Sequence, residues 1–341
     1  MSGSDFGERS IHPDLDLPSI EVALTTYNSE PYLTPLLDSL FAQTRQDFTL
    51  LVADDASTDG TRAAIEAYSR RYPGRIKQLP PDGPRRGVIA NFDRVLAQAS
   101  ADYIFLCDHD DVWLPHKIER ALEAMHALEA RHRPGTPLLV HTDLVVTDAE
   151  LGVINDSLIT YSGLDRPRND PVRLLLSNVV TGCTTVINRA LLLRARPIPR
   201  DAMMHDHWLA LVAATAGAIG FVDEPTILYR QHGGNTLGAH GRQTAALLQR
   251  AYGTLVSRDR ERVLKRYSRQ AAVLLARLGE EMSPRHRAAT ETLARLWDMP
   301  RLGRFLALRR CGLGLEGLAR NVALLIVVTR ATRGSGRPEQ T

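Results

Sequence analysis

Cysteine is scarce in this chain of 341 residues: only Cys107, Cys183 and Cys311, far apart and odd in number. That excludes a disulfide framework and any zinc-ligand spacing, and it predicts a reducing compartment. No apolar run approaches the ~20 residues needed to cross a bilayer. The opening MSGSDFGERSIHPDLDLPS has no basic start followed by an apolar stretch, so no secretory signal is expected. Glycine is missing where nucleotide-binding turns use it. Thr25-Thr26-Tyr27-Asn28, after the first strand-like run, contains none. This argues against the dinucleotide turn of nicotinamide dehydrogenases, and the GxxxxGK[ST] phosphate loop is absent as well. Any nucleotide must then be held through strand-end side chains and a metal.

The net charge of +3 conceals an asymmetry. Residues 241–341 hold 20 Lys+Arg against 8 Asp+Glu, which leaves 22 against 31 for residues 1–240 out of the totals of 42 and 39. An acidic body therefore carries a basic end. A basic helical segment suits an anionic surface, membrane or nucleic acid.

Strand and helix signals alternate through the first half. Strands are expected at 20–25, 48–53, 75–79, 103–107 and 138–141, and helices at 32–43, 61–71 and 88–99. This order predicts a mostly parallel α/β sheet flanked by helices. Further strands are expected at 184–188 and 219–222, with a helix at 208–216 between them and a loop-rich, substrate-facing excursion over 152–170. From Thr244 the pattern is helical. The division expected is a flexible tail at 1–18, a catalytic domain at 19–240 and a basic helical extension at 241–341.

Asp108-His109-Asp110-Asp111 directly follows the apolar run 103–107. Packed like charges repel, so such a cluster is stable mainly with a cation bound. Carboxylates at i and i+2 of a turn can both reach Mg²⁺ or Mn²⁺, which prefer oxygen ligands and retain diphosphate oxygens. The alternative is a solvated acidic turn capping the helix that begins near Pro115.

These runs carry a resemblance. IEVALTTYN, LLVADDASTDGT and ADYIFLCDHDDVWLPHKIE resemble the nucleotide-sugar half of family-2 glycosyltransferases with the GT-A fold. NVVTGCTTVINRALL, MHDHWLALVAA and VDEPTILYRQHGGNTLG resemble their acceptor half, and the variant is similar to bacterial rhamnosyltransferases of surface-polysaccharide assembly. The likeness spans residues 19–240. It implies that Thr25 and Tyr27 line the base pocket and that Asp55 accepts from the pyrimidine imide, against an Asx turn or helix cap as the alternative for Asp54-Asp55. It implies Asp110 as direct metal ligand, with Asp108 nearer ribose or metal water. Asp111 then caps the next helix.

By the same resemblance Asp206 is the base that takes the acceptor hydroxyl proton, although a helix cap has a comparable claim on it. His205 and His207 diverge from a helix start and are not expected to form a metal pair. His232 and Arg230 fall in the loop that closes over metal and diphosphate, with a surface turn as the alternative for His232. Thr181, Gly182 and Trp208 fall on the acceptor side. Core packing is the alternative for Trp208, and Cys183 is a small core residue.

Residues 301–328 interleave arginine with leucine, phenylalanine and valine. They predict a basic amphipathic segment on an anionic leaflet, with packing on the body or on a second copy as the alternative. Together these readings imply an inverting, metal-dependent glycosyltransferase at the inner face of the cell membrane. It would take a UDP- or dTDP-sugar, with dTDP-L-rhamnose the best single guess, and a lipid-linked glycan acceptor. The rivals are a nucleotidyltransferase, which would want a glycine-rich basic loop after the first strand, and an inactive glycan- or membrane-binding module. Nucleic acid is not expected, because no stacking aromatics accompany the arginines.

Overall fold

The first strand has no exposed residue. IEVALTT is buried along its whole length, as a strand covered on both faces must be. The computed structural model describes residues 18–162, 169–233, 258–314 and 318–329. Within them the strands are β1 (Ile20–Thr26), β2 (Phe48–Asp54), β3 (Ile76–Gln78), β4 (Tyr103–Cys107), β5 (Val112–Trp113), β6 (Leu138–Thr147), β7 (Val153–Asn155), β8 (Thr185–Asn188) and β9 (Ala218–Arg230). They form one sheet in the order β3-β2-β1-β4-β8-β6-β9-β5, with β7 beside β6.

The helices are α1 (Glu30–Phe41), α2 (Thr61–Arg71), α3 (Val88–Gln98), α4 (Lys117–Glu129), α5 (Leu158–Ser162), α6 (Pro171–Leu174), α7 (Arg189–Ala195), α8 (His205–Ala216), α9 (Arg258–Leu278), α10 (Pro284–Ala294), α11 (Arg301–Arg310) and α12 (Leu318–Thr329).

The expected, mostly parallel α/β sheet is present, with antiparallel pairing at β8, β7 and β5. β3, β2, β1 and β4 run parallel, and β8 then pairs antiparallel with both β4 and β6. β1 sits between β2 and β4, so the chain leaves it in both directions. That is the switch point at which open α/β sheets hold ligands, beyond the carboxyl ends of the strands.

Alternation along the strands sorts the core into two layers. Val22, Leu24, Leu50, Val52 and Phe105 pack against α1, α2 and α4. Ala23, Leu51, Ala53, Ile104 and Leu106 face the other way, toward α3, α7 and α8. The second layer continues without a break into the C-terminal helices through Leu264, Leu274 and Leu278 of α9, Leu293 of α10, Leu308 of α11 and Val328 of α12. The basic end of the chain is thus packed on the body. The expected boundary at residue 240 and residues 1–17 of the expected tail lie outside the described residues.

β9 runs well past the expected 219–222. It continues through Asp223-Glu224-Pro225 to Arg230, beside the length of β6, with register shifts at Thr142 and Asp143. A proline fits in a strand at such an irregularity, where no ladder hydrogen bond is required of it. This extension carries Arg230 and His232 to the acidic cluster.

Candidate active site

Three carboxylates lie at the end of β2 and in the loop that follows, and each has a different task. Asp54 is consumed locally. It accepts from Thr26 Oγ1 at 2.9 Å, from Ser57 N at 3.0 Å and from Arg62 Nε at 2.7 Å. Asp59 accepts from Thr61 N at 3.0 Å, serving the start of α2. Asp55, 6 % exposed, does neither. Its two oxygens each accept a backbone N–H at 2.8 Å, from Arg86 and Gly87. Gly87 has φ +85°, a conformation that favours glycine. Asp55 thus ties down the loop before α3, whose Arg85 lies 3.8 Å over the Tyr27 ring and 4.0 Å from Asp55. The Arg85-Arg86-Gly87 triplet is a part of this corner that sequence reasoning missed; a doubled arginine before a glycine was its only signal. Thr25 is buried at the end of β1, and His109 is hydrogen-bonded to its backbone.

The cluster after β4 divides into an inner and an outer part. Asp111 does not cap the next helix: α4 begins at Lys117, with His116 at its cap position. Asp111 is wholly buried and accepts from Arg230 N at 3.2 Å. Asp111, Asp108 and Cys183 offer ligand atoms within 4.8 Å of one another. A cation already stands at that inner end. Lys117 is wholly buried, with Nζ 4.5 Å over the Trp113 ring. Burial lowers its pKa to about 8, while Cys183, Cys107 and Asp111 favour its charge. Burial also drives the Cys183 thiol well up.

The outer part lacks such a neighbour among the causes that set Asp108. Its carboxyl is pushed up to about 8 by desolvation, then by the charges of Asp110 and Asp206. An oxygen-ligated dication fits there, because it would relieve the repulsion that now favours the protonated acid. His232 Nε2 lies 3.1 Å from Asp110 Oδ2, and its ring stacks on Tyr32 at 4.4 Å. Arg230 is put to a different use from the expected phosphate contact. Its Nε donates to the Asp110 carbonyl at 3.0 Å, Nη1 donates to the Ala149 carbonyl, and the guanidinium lies 5.2 Å over Tyr32.

Asp206 lies one residue inside α8 and is not its cap, which is Met204. Its Oδ2 accepts from Gly182 N at 3.0 Å and its Oδ1 from His207 N at 2.6 Å. The 181–184 turn and the start of α8 are thereby joined. Gly182 is required there, since a Cβ would come within 2.8 Å of His205 Nε2. Desolvation raises the Asp206 carboxyl to about 6, against the hydrogen bonds it accepts. His205 and His207 do diverge. His205 stacks on Phe92 at 3.6 Å, and His207 Nε2 meets the Leu174 carbonyl at 2.6 Å. Trp208 corrects the expectation for the acceptor side. It is fully buried and donates from Nε1 to the Ala195 carbonyl at 2.8 Å, so it has no face for a sugar.

Comparison with known proteins bears on this geometry. The model of glycosyl transferase family 2 matches residues 21–138, which include both strand-end acidic clusters. Residues 21–138 are thus similar to a family-2 glycosyl transferase domain. The chain is similar to the dTDP-rhamnosyl transferase RfbG of Shigella flexneri, 27% identical over 231 residues covering 64% of this chain and 74% of that one. It is 31% identical over 229 residues to the Mycobacterium tuberculosis protein Rv1520, covering 65% of this chain and 60% of that one. The match thus spans about three fifths of the mycobacterial protein's length. Among solved structures, residues 1–349 of S. aureus TarS in complex with UDP-GlcNAc superpose with TM-score 0.52 at 18% identity, covering 86% of this chain and 80% of that one. The mannosyltransferase PcManGT from Pyrobaculum calidifontis, in complex with GDP-Man and Mn²⁺, gives 0.51 at 18%, covering 90% and 78%. The domain has the GT-A fold, with the chain's helical C-terminal region packed against it.

Proposed function

We propose that the protein transfers a sugar, with inversion, from a uridine or thymidine diphosphate donor to a glycan acceptor during surface-polysaccharide synthesis. The observation that carries the proposal is the convergence of three carboxyls at the switch point: Asp108 is raised by both Asp110 and Asp206. A metal motif and a candidate base are thus within electrostatic reach of each other. Likeness to a dTDP-rhamnosyl transferase supports dTDP-L-rhamnose as donor.

In this reading Asp55, Tyr27 and Thr25 form the base corner. The Asp55 oxygens keep lone pairs beyond the two backbone bonds, and a carboxylate facing an imide N–H selects uracil or thymine over cytosine. Asp108 and Asp110 would hold Mg²⁺ or Mn²⁺ with His232 beside them, and the ion supplies Lewis-acid stabilisation of the diphosphate leaving group. Asp206 removes the acceptor hydroxyl proton as that oxygen attacks the sugar carbon, through an oxocarbenium-like transition state. Thr181 and Gly182 border the acceptor beside it. Thermal stabilisation by a panel of nucleoside diphosphates with Mn²⁺ tests the donor class. UDP or dTDP should raise the melting temperature and CDP should not; an equal response to CDP counts against the base corner. The rival nucleotidyltransferase reading predicts pyrophosphate release, whereas this one predicts release of nucleoside diphosphate.

The raised Asp206 carboxyl sets a pH dependence. A base works ionised, so with its pKa at about 6, kcat/KM should fall as pH drops below about 6 and level off above about 7. A profile flat from pH 5 to 8 would place the base elsewhere.

The protein is also proposed to act at the inner membrane face, where a lipid-linked acceptor would lie. No helix among the described residues is long and apolar enough to cross a membrane. The buried sides of α11 and α12 belong to the core, and Arg304 is buried there, donating to the carbonyls of Met299, Trp297 and Val328. Removing residues 299–341 would therefore unroof the core rather than detach a peripheral anchor. The outer sides are different. Leu302 is 83 % and Leu306 56 % exposed on α11, flanked by exposed Arg301, Arg309 and Arg310, and α12 exposes Val322, Leu325 and Ile326. Apolar side chains among arginines suit an anionic leaflet. Replacing Leu302 and Leu306 with glutamate should weaken binding to anionic vesicles about tenfold or more. Binding should also fall with salt. Vesicle binding indifferent to both changes would remove this face from consideration.

A further inference from the structure

Helix α9 lies outside the segment matched by the family model, yet it grips the chain on both sides of Asp206. Its Gln270 is buried, with its amide used at both ends. Oε1 accepts from Met203 N at 2.7 Å, just before α8. Nε2 lies 3.3 Å from His207 Nδ1, just after Asp206. The direction of that second bond follows from elementary chemistry. The Leu174 carbonyl can only accept, so His207 Nε2, 2.6 Å away, carries the ring proton. Nδ1 is then the acceptor, and the Gln270 amide donates to it. Burial holds the ring neutral, with its pKa lowered to about 4, so this tautomer persists at neutral pH. One turn earlier Tyr267 meets the His207 ring edge-on at 5.8 Å. Arg266 donates to the Ala202 carbonyl, and Arg269 pairs with Asp201 at 3.3 Å. Four successive or near-successive side chains of α9 are therefore spent on residues 201–207.

We infer that α9 is a working part of the transfer site, with Gln270 a positioning residue that fixes Asp206 through Met203 and His207. The inference rests on the reading of Asp206 as the base. A carboxylate at the first turn of a helix is aimed by that turn, and a misplacement of about 1 Å at a reacting group can cost ~10²-fold in rate. The Gly182 N–H and the helix's own His207 N–H hold the carboxylate, and Gln270 holds the same turn from the α9 side. The helical region after the family-2 segment would then be needed for turnover as well as for stability.

The test is a double-mutant cycle on the full chain, read as release of dTDP from dTDP-L-rhamnose with Mn²⁺ and as donor Kd. Gln270→Ala should lower kcat about 10- to 100-fold and leave donor Kd unchanged. In the Asp206→Asn background the same change should cost less than about twofold, because a residue that acts through Asp206 has nothing left to position. Equal fold losses in both backgrounds, or a weakened donor Kd, would overturn the inference. If the alanine variant does not fold, Gln270→Glu keeps the acceptor for Met203 N while losing the donor to His207, and the same coupling should appear. If neither variant folds, Gln270 is a structural tie only and the inference fails. Normal turnover of Gln270→Ala beside an inactive Asp206→Asn defeats this inference alone. Normal turnover of Asp206→Asn defeats the base assignment and this inference with it.

Discussion

Asp206→Asn is expected to lower kcat by ~10²–10⁴-fold while donor affinity and fold survive, because removal of the acceptor proton typically contributes that much. The structure says why the protein should tolerate the change. Asparagine keeps one side-chain oxygen for Gly182 N or His207 N, and losing the other bond costs about 1 kcal/mol. Against that loss, a neutral amide removes the charge that Asp206 adds to the desolvated Asp108 carboxyl. Stability should therefore shift little in either direction. Stopped assays of nucleoside diphosphate release, with melting temperature as control, measure both. A folded variant with near-normal turnover would leave Asp206 as a tie between α8 and the 181–184 turn.

The second large effect concerns the metal. Asp110→Asn, or a chelator added to the native protein, is expected to weaken nucleoside diphosphate binding by about two orders of magnitude, since loss even of groups that support a metal ligand costs ~10–100-fold. Asp54→Asn is the informative contrast. That carboxylate also stands at a strand end, but its oxygens are occupied by Thr26, Ser57 and Arg62. Its replacement should lower stability and leave the metal requirement intact. Lys117→Met separates the inner and outer parts of the cluster. It removes the buried cation of the inner part and should leave the metal requirement intact. Calorimetric titration with UDP or dTDP, with Mn²⁺ and with EDTA, reads these differences.

How far the sequence was legible follows from how local each signal is. β1, β2 and β4 could be read because runs covered on both faces are largely apolar, and β2 and β4 end in acidic turns. The later strands were blurred. Asp223-Glu224-Pro225 reads as a break, and only pairing with an irregular β6 lets β9 pass through it. Asp111 looked like a cap because its partner, the backbone of Arg230, becomes visible only when β9 is in place. Trp208 followed a candidate base on a helix start, where a sugar platform is a natural guess. α8, however, is buried over residues 205–213, and burial on every side leaves no periodic pattern to separate core from site. The basic end was read by composition as a surface element. Its inner residues proved to be core, and only the outer leucines and arginines kept the expected character. Gln270 carried no signal at all, since a glutamine in a polar helix acquires meaning only from what it bonds.

The carboxyls gathered after β4 and at the start of α8 are proposed to transfer a sugar from a metal-held nucleotide. The most direct measurement is release of nucleoside diphosphate by the purified protein from UDP- and dTDP-sugars, dTDP-L-rhamnose first, with Mn²⁺ and with EDTA, for the native chain and Asp206→Asn. Release should require the metal and fall ~10²–10⁴-fold in the variant. Release that persists in EDTA, or that is the same in native chain and variant, would contradict it.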